Sequence, residues 1–258
     1  MPDAFYEAGD GEIVPTELTR GPWDPDSQHG GPPAALLARA IEGLEDAEDF
    51  AIARVTIEIL RAVPIAPLKV EAHMVRPGRR VQLVEALLAD AGGAVMRASA
   101  WRLRTGSVEL PASPEARLPA GPANGQPGRF PDLGHDLGYH RAMEYRFVKG
   151  GFLEPGPATV WMRMRHPLIA GEEPSPLQRV LVAADSGNGV SGILDWRRFL
   201  FINVDLSVHL ERTPVGEWVC LDAVTHAEPN GVGVADTLLL DQRGRIGRAL
   251  QALLVSER

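Results

Sequence analysis

Between Gly106 and Gly134 the chain carries Pro111, Pro114, Pro119, Pro122, Pro127 and Pro131 interleaved with Gly121, Gly125 and Gly128. Proline fixes φ and removes a backbone donor, so such a stretch holds neither a helix nor a central strand. It divides the 258 residues into an N-terminal unit over 1–105, a linker over 106–134 and a C-terminal unit over 135–258. Each unit has ordinary domain size.

The two units read as copies. Arg54 to Ile59 lies over Asn203 to Val208, and Asp90 to Val95 lies over Asp241 to Ile246. The order of elements matters more than the letters. In the first copy Pro32 and Pro33 suit an opening turn, and Leu37, Ala40, Ile41 and Leu44 recur at helical spacing before strands over 52–63, 68–75, 80–90 and 95–104. In the second, Ser175 is an N-cap candidate, Pro176 opens a helix with Leu177, Val180, Leu181 and Ala184 on one stripe, and strands follow over 199–211, 217–225, 233–240 and 246–255. Hairpins over 5–18 and 144–165 precede the helices. Short turns imply antiparallel pairing, and the scarcity of charge on both helices implies burial on most sides.

Apolar residues make up 45% and charged residues 23%, which suits a packed core rather than disorder. No apolar run reaches the ~18 residues of a membrane span, and Met1-Pro2-Asp3-Ala4 has no signal-peptide pattern, so the expectation is a soluble, cytoplasmic protein. The net charge of −8 argues against nucleic acid or an anionic membrane as partner. A lone cysteine, Cys220, leaves no internal disulfide, and the 7 histidines lack metal-ligand spacing. Gly189-Val190-Ser191-Gly192 lacks the last glycine of a nucleophile elbow, which counts against a serine hydrolase.

Three segments carry a family resemblance: His29-Gly30-Gly31 ahead of the first helix, Val204-Asp205-Leu206-Ser207 followed by Glu217-Trp218, and Asp241-Gln242-Arg243-Gly244 leading to Leu250-Gln251. With the tandem order, they make the chain resemble the double-hotdog acyl-CoA thioesterases, the bacterial acyl-CoA thioesterase II type and its thioesterase-like relatives. The resemblance implies an α+β tandem (double) hotdog, two antiparallel sheets each wrapped around a central helix. It implies hydrolysis of an acyl-CoA by water that an Asp, a Thr or Ser, and a Gln hold and polarise. Asp205 and Gln251 match the first and last of these. The hydroxyl falls to Thr225, with His226 as the other register. No metal or separate cofactor is implied, coenzyme A being part of the substrate, and sheet edges favour a homodimer or higher homo-oligomer.

Asp205 and Gln251 are polar residues inside apolar strands, which burial tolerates only with partners or a function. The alternatives are a solvent-facing Asp205, an Asp205 that caps a neighbouring backbone, and an outward Gln251. Gly30 and Gly31 at a helix start offer N–H groups to a developing oxyanion, Gly31 being the better donor because Pro32 has none; simple helix entry is the other reading. A hotdog hydratase or dehydratase would want a His-Asp pair near the helix, and His29 is the residue for that part. An acyl-CoA-binding module without turnover is the reading from another class. At the places matching Asp205 and Gln251 the first copy has Thr56 and Ala100. One working site is therefore expected, built from the second copy's polar residues and the first copy's helix start.

Overall fold

The computed structural model describes residues 2–9, 11–45, 49–111 and 118–258, so the part of the linker from 112 to 117, with Pro114, lies outside the described residues. Helix α1 spans Gly31–Glu42, with prolines in the first turn where no intrahelical donor is needed and with Gly43 at its end. Helix α2 is the short turn Tyr139–Ala142. Helix α3 spans Pro176–Ala184 and starts at Ser175, whose Oγ accepts from the Gln178 N–H at 3.1 Å. Helix α4, Gly187–Val190, follows almost at once.

Helices α1 and α3 pack head to tail. A Cβ on Gly31 would land on the carbonyl oxygen of Val182, so the glycine is what lets the two backbones approach. Ala34, Ala35 and Ala38 on α1 and Ala183 and Ala184 on α3 are all buried, which keeps the pair close. At one end Asp185 of the second copy meets the start of α1; at the other Glu42 accepts from Ser175 Oγ and Gln178 Nε2 at the start of α3. Each helix start thus has a carboxylate over it, the sign that its dipole favours.

The first copy supplies β1 (Tyr6–Ala8) and β2 (Ile13–Pro15), then β3 (Phe50–Ile59), β4 (Lys69–Arg76), β5 (Val81–Asp90) and β6 (Gly93–Arg104). The linker contributes β7 (Gln126–Pro127). The second copy supplies β8 (Met143–Gly151), β9 (Glu154–Met164), β10 (Phe199–Asn203), β11 (Asp205–Leu210), β12 (Val219–Ala227), β13 (Val232–Asp241) and β14 (Gly244–Glu257). Apart from the β1-β2 ribbon, these strands form one twelve-stranded sheet in the order β4-β5-β6-β3-β11-β14-β13-β12-β9-β8-β7, with β10 also on β14.

This corrects the expectation of two separate sheets. Strand β3 pairs antiparallel with β11, with Asp205 opposite Glu58 and Ser207 opposite Thr56. Left apart, β3 and β11 would each expose a row of unpaired backbone groups; pairing removes both edges at once. The single strand expected over 199–211 is also two. It breaks at Val204, and the Asn203 amide donates to the Asp205 carbonyl at 3.1 Å across the break. The linker is held on the second copy, where Trp161 Nε1 donates to the Ala120 carbonyl at 2.7 Å. No helix among the described residues is long and apolar enough to cross a membrane.

Candidate functional site

The head-to-tail helix pair places the C-terminal end of α3 against the N-terminal end of α1, and a cavity of about 810 Å³ opens there. Its wall includes His29, Gly30, Tyr139, Asp185, Asn188 and Asn203. Asp185 is 5% exposed. One carboxylate oxygen, Oδ1, accepts from Asn203 Nδ2 at 2.9 Å and lies 3.5 Å from Gln251 Nε2. The other, Oδ2, lies 3.0 Å from His29 Nδ1. A carboxylate cannot donate, so a hydrogen bond across this contact needs the proton on Nδ1, in which case the Gly31 N–H, 3.1 Å from Nδ1, turns to the carboxylate and Nε2 is left as the acceptor of a neutral imidazole.

Burial pushes the Asp185 carboxyl up, but the His29 imidazole beside it and the donors of Asn203 and Gly31 outweigh that and hold it below the ordinary carboxylate value. The dipole at the start of α1 acts in the same sense. Asp185 is therefore an anion at neutral pH despite its burial.

Its surroundings are built closely. Gln251, 1% exposed, accepts from the Asn188 N–H at 3.1 Å through Oε1 and donates to the Asp185 carbonyl at 3.1 Å through Nε2. A Cβ on Gly187 would lie 2.8 Å from that Oε1 and 2.6 Å from Thr237 Oγ1, so glycine is required there for Gln251 to fit. Asn188 Nδ2 donates to the Phe201 carbonyl at 3.0 Å. Tyr139 stacks on His29 with ring centroids 3.6 Å apart, and its hydroxyl donates to the Val182 carbonyl at 2.6 Å. His29 is thus held in plane.

The structure brings His29, Gly30, Gly31 and Gln251 together, but around Asp185. Asp205 lies elsewhere. Along β11 Leu206 and Val208 are buried while Asp205, Ser207 and His209 face the other side, so Asp205 and the inward Gln251 occupy opposite faces of the sheet. The Asp205 carboxylate accepts from the Ala252 N–H at 2.6 Å, which is a backbone cap. Thr225 faces inward, but its hydroxyl is shared with Ser191 Oγ at 2.7 Å, and Ser191 in turn donates to the Gly187 carbonyl. His226 is exposed on the opposite face of β12. Gly31 also differs from the expectation: its N–H lies 3.1 Å from His29 Nδ1, directed at the imidazole-carboxylate pair. Gly30 lines the cavity, and among the described residues no acceptor bonds its N–H.

Asp185 and Asn203 escaped the sequence reading. A signal existed for Asp185: a carboxylate at the C-terminal end of an apolar helix stripe stands at the unfavourable end of its own dipole and calls for a reason. Because Asp205 only caps a backbone amide, Asp205→Asn, which keeps an acceptor oxygen, is expected to leave turnover within about 2-fold and stability within about 1 kcal/mol. Steady-state rates and a urea melt check this.

A family model for the acyl-CoA thioesterase N-terminal domain matches residues 19–103, and one for the acyl-CoA thioesterase C-terminal domain matches 114–255. The chain belongs to the acyl-CoA thioesterase family. Among solved structures it is similar to a protein provisionally assigned as a thioesterase II from Thermobifida fusca, with 17% identity, 97% of this chain and 94% of that one covered, and a TM-score of 0.74. A conserved protein of unknown function with a hotdog fold from Alicyclobacillus acidocaldarius gives 16%, 99%, 97% and 0.74 for the same quantities. An acyl-CoA thioesterase II, TesB2, from Mycobacterium marinum gives 16%, 90%, 90% and 0.64. At these identities the likeness extends to the fold. No curated protein sequence matches the chain.

Proposed function

We propose that this protein hydrolyses an acyl-CoA thioester by direct attack of water held at Asp185. The observation that carries the reading is a buried carboxylate flanked by two side-chain amides in the wall of a cavity. Both hydrogens of Asn203 Nδ2 are taken, by Asp185 Oδ1 and by the Asp205 carbonyl, so Asn203 Oδ1 is left to accept from a water. Such a water donates one hydrogen to Asp185 and the other to Asn203, which leaves a lone pair for the thioester carbon. As its oxygen bonds to that carbon, Asp185 takes the proton, negative charge moves onto the carbonyl oxygen, and the Gly30 N–H is the donor at hand for it. Collapse of the tetrahedral species expels the thiolate of coenzyme A, and the proton on Asp185 returns to it. Gln251 acts through Asp185, whose backbone it holds. Asn203 takes the part for which the sequence offered Thr225.

A release assay for free thiol across acyl-CoA chain lengths tests this. Turnover is expected; binding of acyl-CoA without thiol release would select the non-catalytic module. The His29-Asp185 contact at 3.0 Å supports a second reading, hydration of an enoyl-CoA with His29 Nε2 as the base. Loss of enoyl absorbance without thiol release would select it. In the hydrolytic route no protein nucleophile forms a bond to the acyl group. The Cys220 thiol is buried, and desolvation pushes its pKa up. Ser191 is buried in hydrogen bonds. Thiol-directed and serine-directed reagents are therefore expected to leave activity intact; a stable acyl group on Ser191 or Cys220, seen by mass spectrometry, would contradict the water route. A homodimer or higher homo-oligomer is part of the proposal because β4 ends the sheet with one edge unpaired among the described residues; sedimentation would check it.

A further inference from the structure

The cavity wall is unusually rich in rings. Of the chain's 5 Trp, 3 Tyr and 7 Phe residues, Trp23, Trp196, Tyr145, Phe130, Phe152 and Phe201 line it together with Tyr139, although aromatic residues are only 6% of the sequence. They form two groups from distant parts of the chain. Trp23, from the loop ahead of α1, meets Phe201 of β10 edge to face, with centroids 4.9 Å apart at 88°. Phe130 of the linker lies 4.0 Å from Phe152, at the turn between β8 and β9, and 4.9 Å from Tyr145. Phe201 stands two residues before Asn203, so the first group adjoins the position proposed for the water.

Burial of an alkyl chain stabilises by roughly 25 cal/mol per Å² whether the wall is aliphatic or aromatic. A ring gains the same and, in edge-to-face or offset contact, about 0.5–1.5 kcal/mol more for each aromatic partner. Walls of this composition therefore discriminate in favour of one kind of acyl group. Ile59, Val63, Leu133, Leu153, Leu194 and Ile202 line the same cavity, so the selectivity falls to the two groups of rings rather than to the wall as a whole.

Resting on the thioesterase reading, we propose that the acyl group this site takes carries an aromatic ring, held between the Trp23-Phe201 pair and the Phe130-Phe152 pair. The test compares phenylacetyl-CoA, cyclohexylacetyl-CoA and octanoyl-CoA, which have the same number of acyl carbons, on the full-length protein and on Trp23→Leu and Phe152→Leu. Neither residue belongs to the hydrolytic machinery. For the unaltered protein kcat/KM is expected to be highest for phenylacetyl-CoA. Each variant is expected to lower that value by about 2- to 10-fold, the conversion of one lost aromatic contact, and to leave octanoyl-CoA within about 2-fold. Octanoyl-CoA at or above phenylacetyl-CoA, or equal losses on all three esters in the variants, would overturn this proposal and leave the thioesterase reading standing. Failure of all three esters to release thiol would overturn both.

Discussion

Asp185→Asn is expected to lower kcat by about 100-fold or more, because an amide of the same size cannot take a proton from water; its single oxygen keeps only one of the two contacts, to Asn203 or to His29, that the carboxylate accepts. The pH dependence separates this from a packing defect. The carboxyl is held below its ordinary value, so the acid limb of kcat should fall below the ~3.9 typical of an aspartate. The sign for stability follows: a depressed native pKa contributes stability that is fully present above the unfolded value and is lost as pH falls through the folded one. Asp185→Asn should therefore flatten the part of the acid denaturation curve that Asp185 supplies, besides removing the kinetic limb. Unchanged kcat in Asp185→Asn, with the native fold retained, would remove this residue from the mechanism.

Gly30→Ala and Gly31→Ala should fail differently, although the residues are adjacent and both helix-compatible in φ. A Cβ on Gly30 would lie 2.8 Å from Asp185 Oδ2, so the strain falls on the carboxylate itself. A Cβ on Gly31 would meet the Val182 backbone, so the strain falls on the contact between α1 and α3. Neither obstacle is the free end of a flexible side chain. For Gly31→Ala, overpacking of about 1–3 kcal/mol and a Tm lower by several degrees are expected, with activity falling as the helix pair separates. For Gly30→Ala, kcat should fall by about 10-fold or more with a smaller loss of Tm, since a displacement of the reacting groups by an ångström is costly far beyond its effect on stability. The reverse order, a large Tm loss in Gly30→Ala and none in Gly31→Ala, would contradict the assignment of the two contacts.

Much of the architecture was legible because it depends on local signals. Pro32, Pro33, Ser175 and Pro176 mark helix starts, and the alternation in β5, β13 and β14 marks strands; all are short-range consequences of backbone chemistry. The β3-β11 seam was not legible, since pairing across about 150 residues depends on which edges meet in space. Asp205 shows a different failure. Its neighbours Leu206, Ser207, Val208 and His209 alternate, and that period of two already places Asp205 with the polar residues on the outer face. The family motif outweighed the alternation and pointed to the wrong face. Gln251 was chosen for interrupting an apolar run; in β14 it is inward, and the residues of that run that face out are Leu250 and Leu254.

The central assignment is that the carboxylate at the junction of the two copies, Asp185, activates the water. A single free-thiol assay on the unaltered protein, Asp185→Asn and Asp205→Asn, with matched circular dichroism spectra, tests it most directly. Thiol release by the unaltered protein and by Asp205→Asn at comparable rates, with Asp185→Asn slower by about 100-fold or more, is the expected result. Retention of activity in Asp185→Asn together with its loss in Asp205→Asn would contradict it.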